Sequence, residues 1–173
     1  TSSPIVYGKL GCLYLLQTKH KESVPLLKNA IGLNPNASEF HNYLGIALQR
    51  QGDLIGAIGS YKRAIQLNSN SSSAYNNLGN AQKDQGNLTS AIKSYQRAIQ
   101  LKPNFCDAHY NLGIAFKDQR DLMSAAISLK KAIQLNPNDS EAHNILGTAL
   151  KELGNKKEAA FRPLLSCLHP LES

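Results

Sequence analysis

Apolar and small residues recur along this chain at helical spacing, and the whole arrangement then repeats. The dipeptide Leu-Gly stands at 10–11, 44–45, 78–79, 112–113 and 146–147, a constant step of 34 residues with no insertion. Three residues before each Leu comes Tyr7, His41, Tyr75, His109 or His143. Alanine returns on the same step at Ala47, Ala81, Ala115 and Ala149, then at Ala57, Ala91, Ala125 and Ala159, and again at Ala30, Ala64, Ala98 and Ala132. Small residues let helices approach closely while leucines and aromatics fill between them, so the pattern predicts pairs of packed helices. We set the units at 4–37, 38–71, 72–105, 106–139 and 140–173.

Polar punctuation agrees. Asp53, Asn87, Asp121 and Asn155 share one repeat position just after a turn, where a side-chain oxygen can accept from the free N–H groups that open a helix. Asn155 and Glu158 together spell a capping box. Pro35, Pro103 and Pro137 close the first, third and fourth units, because proline disfavours a helical residue before it. Ser69 takes that place in the second. Two further prolines predict irregularity: Pro25, beside Ser23, in the second helix of unit one, and Pro163, which replaces an aromatic in the last unit and should break or kink its helix.

This arrangement resembles the tetratricopeptide repeat (TPR) family, whose 34-residue helix–turn–helix unit carries W-x2-L-G-x2-Y, then A-x3-F and a closing proline. The resemblance covers essentially the whole chain. It implies an all-α fold, a right-handed α-solenoid of five stacked repeats, in which neighbouring hairpins share one continuous core. It also implies that one face of each first helix lines a concave groove that holds an extended peptide.

On that face the third unit places Asn76, Asn80, Lys83 and Asp84 at i, i+4, i+7 and i+8, with Asn77 on its margin. Equivalent positions give Asn42, Ile46, Gln49 and Arg50, then Tyr110, Ile114, Lys117 and Asp118, then Asn144, Thr148, Lys151 and Glu152. A carboxamide offers one acceptor and two donors, the groups a peptide backbone displays in reverse. Asn77 and Asn111, one repeat apart, resemble the asparagine ladder in the TPR arm of O-linked N-acetylglucosamine transferases, which grips peptide backbone. Lys9, Tyr43 and Ile145 interrupt that ladder. The competing reading is that these asparagines only solvate a polar helix face. The family's carboxylate clamp for chaperone C-termini is not expected: Asn80 and Asn111 fit two of its places, but Asn76, Glu141 and Ile145 occupy the cationic ones. Lys83, Lys117 and Lys151 form a row balanced by neighbouring acids.

Composition narrows the partners. The net charge of +7 raises nucleic acid as a ligand, yet by unit it divides as +3, +1, +3, 0 and 0, and only Tyr110 offers a groove aromatic for base stacking. Nucleic acid is therefore the less favoured partner. Cys12, Cys106 and Cys167 are odd in number and free of C-x-x-C pairing, which argues against a disulfide framework and a zinc site and for a reduced, cytoplasmic setting. The N-x-[ST] matches at Asn36, Asn70, Asn87 and Asn138 read as capping and turn chemistry. Apolar runs such as "LYLL" fall far short of the ~20 residues that span a bilayer, and "TSSPIVYGKL" lacks the layout of a signal peptide. Because the chain opens at Thr1, it is compatible with a fragment or a processed product.

His41, His109 and His143 sit on stacked helices and point the same way, so they are read as packing residues, not as ligands converging on a metal. No catalytic motif is present. The expectation is a non-enzymatic scaffold with no cofactor or metal that binds a protein or peptide partner through Asn42, Arg50, Asn76, Asn77, Asn80, Lys83, Tyr110, Asn111, Lys117, Asn144, Thr148 and Lys151. An alternative makes the chain the recruiting arm of a larger enzyme such as a glycosyltransferase. The apolar "LLSCLHPL" after Pro163 should either fold back on the fifth unit or contact a partner chain, a second copy included, or a downstream domain outside this sequence.

Overall fold

A computed structural model describes residues 3–167 of the chain, with side chains described over 3–155. Among the described residues there are nine helices and no strand: α1 Pro4–Leu16, α2 His20–Leu33, α3 Ser38–Arg50, α4 Leu54–Leu67, α5 Ser72–Asp84, α6 Leu88–Leu101, α7 Cys106–Asp118, α8 Leu122–Leu135 and α9 Ser140–Cys167. The first eight pair as hairpins, and each second helix also packs on the first helix of the next hairpin. This is an all-α solenoid of stacked repeats.

The Leu-Gly positions explain the pairing. A Cβ built on Gly45 would lie 2.5 Å from the Tyr61 ring, and one on Gly79 would lie 2.6 Å from the Tyr95 ring. Gly11 and Gly113 receive Leu27 and Leu129 in the same way. A large side chain from each second helix thus occupies the space that glycine vacates on the first. The alanines of both helices complete this core: Ala30, Ala47, Ala57, Ala81, Ala91, Ala98 and Ala115 are fully buried.

Hairpin turns close through a left-handed residue followed by a cap. Gly52 and Gly86 take φ of +84° and +85°, while Thr18 and Arg120 reverse the chain at the equivalent place with φ of 59° and 64°. Asp53 Oδ1, Asn87 Oδ1 and Asp121 Oδ1 then accept from the N–H groups of Gly56, Ser90 and Ser124 at 2.9, 3.1 and 3.1 Å, as the punctuation predicts.

Four expectations need correction. Pro25 lies inside a continuous α2, because Ser23, Leu27 and Ala30 are wholly buried around it and the Ser23 hydroxyl donates back to the His20 carbonyl at 2.9 Å. The fifth unit does not turn at Gly154–Asn155: α9 runs straight on for 28 residues, so Asn155 is helix interior and not a cap. The helix also continues through Pro163. Leu54, Leu88 and Leu122 open the preceding second helices, and Leu122 is buried; Lys156 stands in that place and removes the apolar anchor that would draw the chain back. Glu158 and the "LLSCLHPL" segment lie outside the described side chains.

The histidines are the fourth correction. Nε2–H of His41, His109 and His143 donates to the carbonyls of Pro35, Pro103 and Pro137 at 2.9, 2.9 and 3.0 Å. They latch the turns between units. Where Ser69 replaces the proline, Tyr75 replaces the histidine, and the Arg97 guanidinium lies 6.0 Å from its ring centroid.

Candidate functional site

The first helices of successive hairpins run side by side, and amides tie them together. Asn77 Nδ2 donates to Asn42 Oδ1 at 3.1 Å, and one repeat later Asn111 Nδ2 donates to Asn76 Oδ1 at the same distance. Donor and acceptor are 35 residues apart each time, so the pair is one repeat plus one residue. Asn76 is only 6% exposed, which makes it an internal acceptor and not a groove residue. Asn77, expected at the margin, faces the groove instead. The ties stop where the side chains change: Tyr43 and Ile145 hold the donor place in α3 and α9, and Tyr110 holds the acceptor place in α7.

Two tyrosines reach the same face from behind. Tyr61 passes over Gly45 and its hydroxyl donates to Gln49 Oε1 at 2.9 Å; Gln49 Nε2 in turn donates to Asp84 Oδ2 at 2.6 Å, linking α4, α3 and α5. Tyr95 passes over Gly79 and donates to Asn80 Oδ1 at 2.8 Å. Burial pushes both phenols well above the usual range and keeps them as neutral donors; at Tyr61 Arg50 offsets part of this and Asp84 adds a little, while at Tyr95 Asp84 adds to burial. In the first and fourth hairpins the equivalent side chains are Leu27 and Leu129, so no hydroxyl is delivered there.

Between α3, α5 and α7 these residues enclose a cavity of about 480 Å³, lined by Arg50, Asn77, Asn80, Lys83 and Asn111 among others. Five of the residues expected from sequence are thereby brought together. Their remaining valences are of both kinds: Asn77 Oδ1 and Asn111 Oδ1 are free to accept, and Asn80 Nδ2 is free to donate, among the described residues. The other expected residues lie apart from this cavity. Asn42 and Asn76 serve the ties, and Lys117 lies further along on α7. Asn144, Thr148 and Lys151 are exposed on α9, with the Thr148 hydroxyl bonded to the Asn144 carbonyl at 3.0 Å. Tyr110 has its hydroxyl pushed up to about 12, by burial first and then by the nearby Glu141 carboxylate.

Ile46, Gln49, Tyr61 and Asp84 complete the lining. Gln49 and Asp84 fall in the groove pattern of the sequence; Tyr61 sits at a packing position, and only its length brings the hydroxyl into the cavity.

A second, more apolar cavity of about 370 Å³ continues the groove between α1 and α3. Cys12, Leu15, Leu16 and Tyr43 line it, and Ile46 and Arg50 border both cavities. Cys12 and Cys106 are free thiols. No cluster of His, Cys, Asp or Glu able to hold a metal ion occurs among the described residues, and no described helix is long and apolar enough to cross a membrane.

Comparison with known proteins places this geometry among relatives. Family models described as TPR repeat match residues 50–86 and 80–119, and models described as tetratricopeptide repeat match 5–37, 107–139 and 128–160. No curated protein matches the chain. Among solved structures, a MamA protein superposes with a TM-score of 0.79 at 27% identity, over 91% of this chain and 86% of its own. PilF of Pseudomonas aeruginosa reaches a TM-score of 0.81 at 21% identity, covering 98% of this chain and 78% of that one. YrrB, described as a TPR protein with an unusual peptide-binding site, gives 0.72 at 23% identity, over 82% and 73%. The last two are similar in fold alone.

Proposed function

Because the chain belongs to the tetratricopeptide repeat family, we propose that it is a protein-interaction scaffold whose concave groove holds an extended peptide segment of a partner, with Asn77 and Asn111 as backbone clamps. The observation that carries this reading is the cavity in which Asn77, Asn80 and Asn111 keep both free acceptors and a free donor. An extended chain presents N–H and C=O groups along its length, and fixed amides can satisfy both whatever side chains the chain carries. The ties to Asn42 and Asn76 hold the clamps in place beforehand, which lowers the ordering cost of binding. A description of YrrB as having a peptide-binding site on this fold is consistent with such a use. The likeness to the ladder of O-linked N-acetylglucosamine transferases is part of this proposal and rests on Asn77 and Asn111 themselves.

The test is fluorescence anisotropy with a panel of labelled, unstructured 12-residue peptides. Asn77→Ala should weaken capture about five- to tenfold, the worth of one or two neutral hydrogen bonds. Asn42→Ala removes the same inter-repeat tie without touching the cavity, and should leave affinity within about twofold if Asn77 acts by direct contact with the peptide. Equal losses in both variants would mean that Asn77 acts through stability and not through contact. Binding that survives Asn77→Ala intact would remove the clamps from the account.

A further inference from the structure

Taking the groove as a peptide site, we propose that it selects segments in polyproline-II conformation that carry an apolar residue and, three positions away, an acidic one. The inference rests on the reading above and adds the ligand's side chains and spacing to it.

The two cavities differ in chemistry and share a wall. Between α1 and α3 the wall is mainly apolar, with Leu15, Leu16, Tyr43 and Ile46 beside Cys12, a seat for an aliphatic side chain, and it also includes His20 and the shared Arg50. Burial, and next the Cys12 thiol, raise the Tyr43 hydroxyl, so it stays a neutral part of that wall. Between α3 and α5 stand Arg50 and Lys83, neither in an ion pair among the described residues, where the single ion pair joins Arg120 to Glu152. The acid in the same lining, Asp84, already accepts from Gln49. A carboxylate placed between Arg50 and Lys83 would meet two cations and one pre-engaged acid, which favours an acidic side chain over a basic one.

The step between these two seats is one repeat, and packed helices lie about 8–10 Å apart. A polyproline-II chain has three residues per turn and rises about 3.1 Å per residue, so residues i and i+3 point the same way about 9 Å apart. The pitch of such a ligand therefore matches the step of the scaffold. A flat β-strand fits less well, because i and i+3 project to opposite faces. Polyproline-II segments leave their backbone groups unpaired, available to Asn77, Asn80 and Asn111.

Two labelled 12-residue peptides test this, with Leu-Pro-Ala-Glu and its reverse order Glu-Pro-Ala-Leu set in a proline–alanine background. One of the two should bind about tenfold more tightly than its counterpart with Lys for Glu, and than its counterpart with the spacing cut to two. Arg50→Glu should cancel or invert the Glu-over-Lys preference, and Leu15→Asp should remove the contribution of the ligand leucine. If the groove captures peptides with the Asn77 dependence described above but shows neither preference, the selectivity is overturned while the scaffold reading stands. If both the Asn77 dependence and the preferences are absent, both fall together.

Discussion

An asparagine inside a helix costs roughly 0.5–0.7 kcal/mol relative to alanine, yet α5 carries three in its interior: Asn76, Asn77 and Asn80. Each has a partner that explains it. Asn76 accepts from Asn111, Asn77 donates to Asn42, and Asn80 accepts from Tyr95. Net gains of about 0.5–1.5 kcal/mol per hydrogen bond offset the propensity cost. The 35-residue spacing of the two ties was readable in the sequence, since Asn42 and Asn77 repeat as Asn76 and Asn111. What the sequence hid is the reach of the tyrosines: a packing position reveals that a side chain is buried, not that its hydroxyl emerges on the far side. The glycines give the sharpest residue-scale prediction. Gly79→Ala drives a methyl against the fully buried Tyr95 ring and should lower stability by about 1–3 kcal/mol. Gly147→Ala meets nothing within 4 Å and should raise stability by up to about 1 kcal/mol through helix propensity. Chemical denaturation of both variants reads the difference, and equal effects would contradict the close approach at Gly79.

At the scale of elements, the starts of α4, α6 and α8 were legible because each is set by local chemistry: an apolar face, a left-handed turn residue and a capping oxygen. The turn in the fifth unit shows the limit of that reading. Gly154 and Asn155 preserve the turn and cap residues, but α9 continues through them. A cap contributes about 1 kcal/mol, and it decides a turn only when the returning helix also has apolar surface to bury. Lys156 does not supply it, whereas Leu122 in the preceding hairpin does. The two positions should therefore respond oppositely to alanine. Asp121→Ala loses the bond to the Ser124 N–H and should cost about 1 kcal/mol. Asn155→Ala replaces an exposed interior asparagine and should be neutral or stabilising by about 0.5 kcal/mol. Equilibrium urea unfolding measures both; a comparable loss at Asn155 would show that it caps a separate helix.

Across the whole molecule, stacking converts a local repeat into a continuous surface. Each hairpin contacts its neighbours, so stability accumulates along the solenoid, and the face formed by the first helices inherits one row of side chains per repeat. The rows are not equivalent. Hydroxyls from Tyr61 and Tyr95, amides from Asn77, Asn80 and Asn111, and the unpaired Arg50 and Lys83 all concentrate in the middle hairpins. The sequence predicted a polar lining spread over four units; the structure gathers it over α3, α5 and α7, where the asparagine ties lie among the described residues. The direct measurement is a two-dimensional NMR titration that follows side-chain amide resonances as a binding peptide is added. The account predicts that the Nδ2 signals of Asn77, Asn80 and Asn111 shift together while those of Asn104 and Asn136, in the turns between units, stay in place. Shifts confined to the turns or to α9, with the three groove amides unmoved, would contradict it.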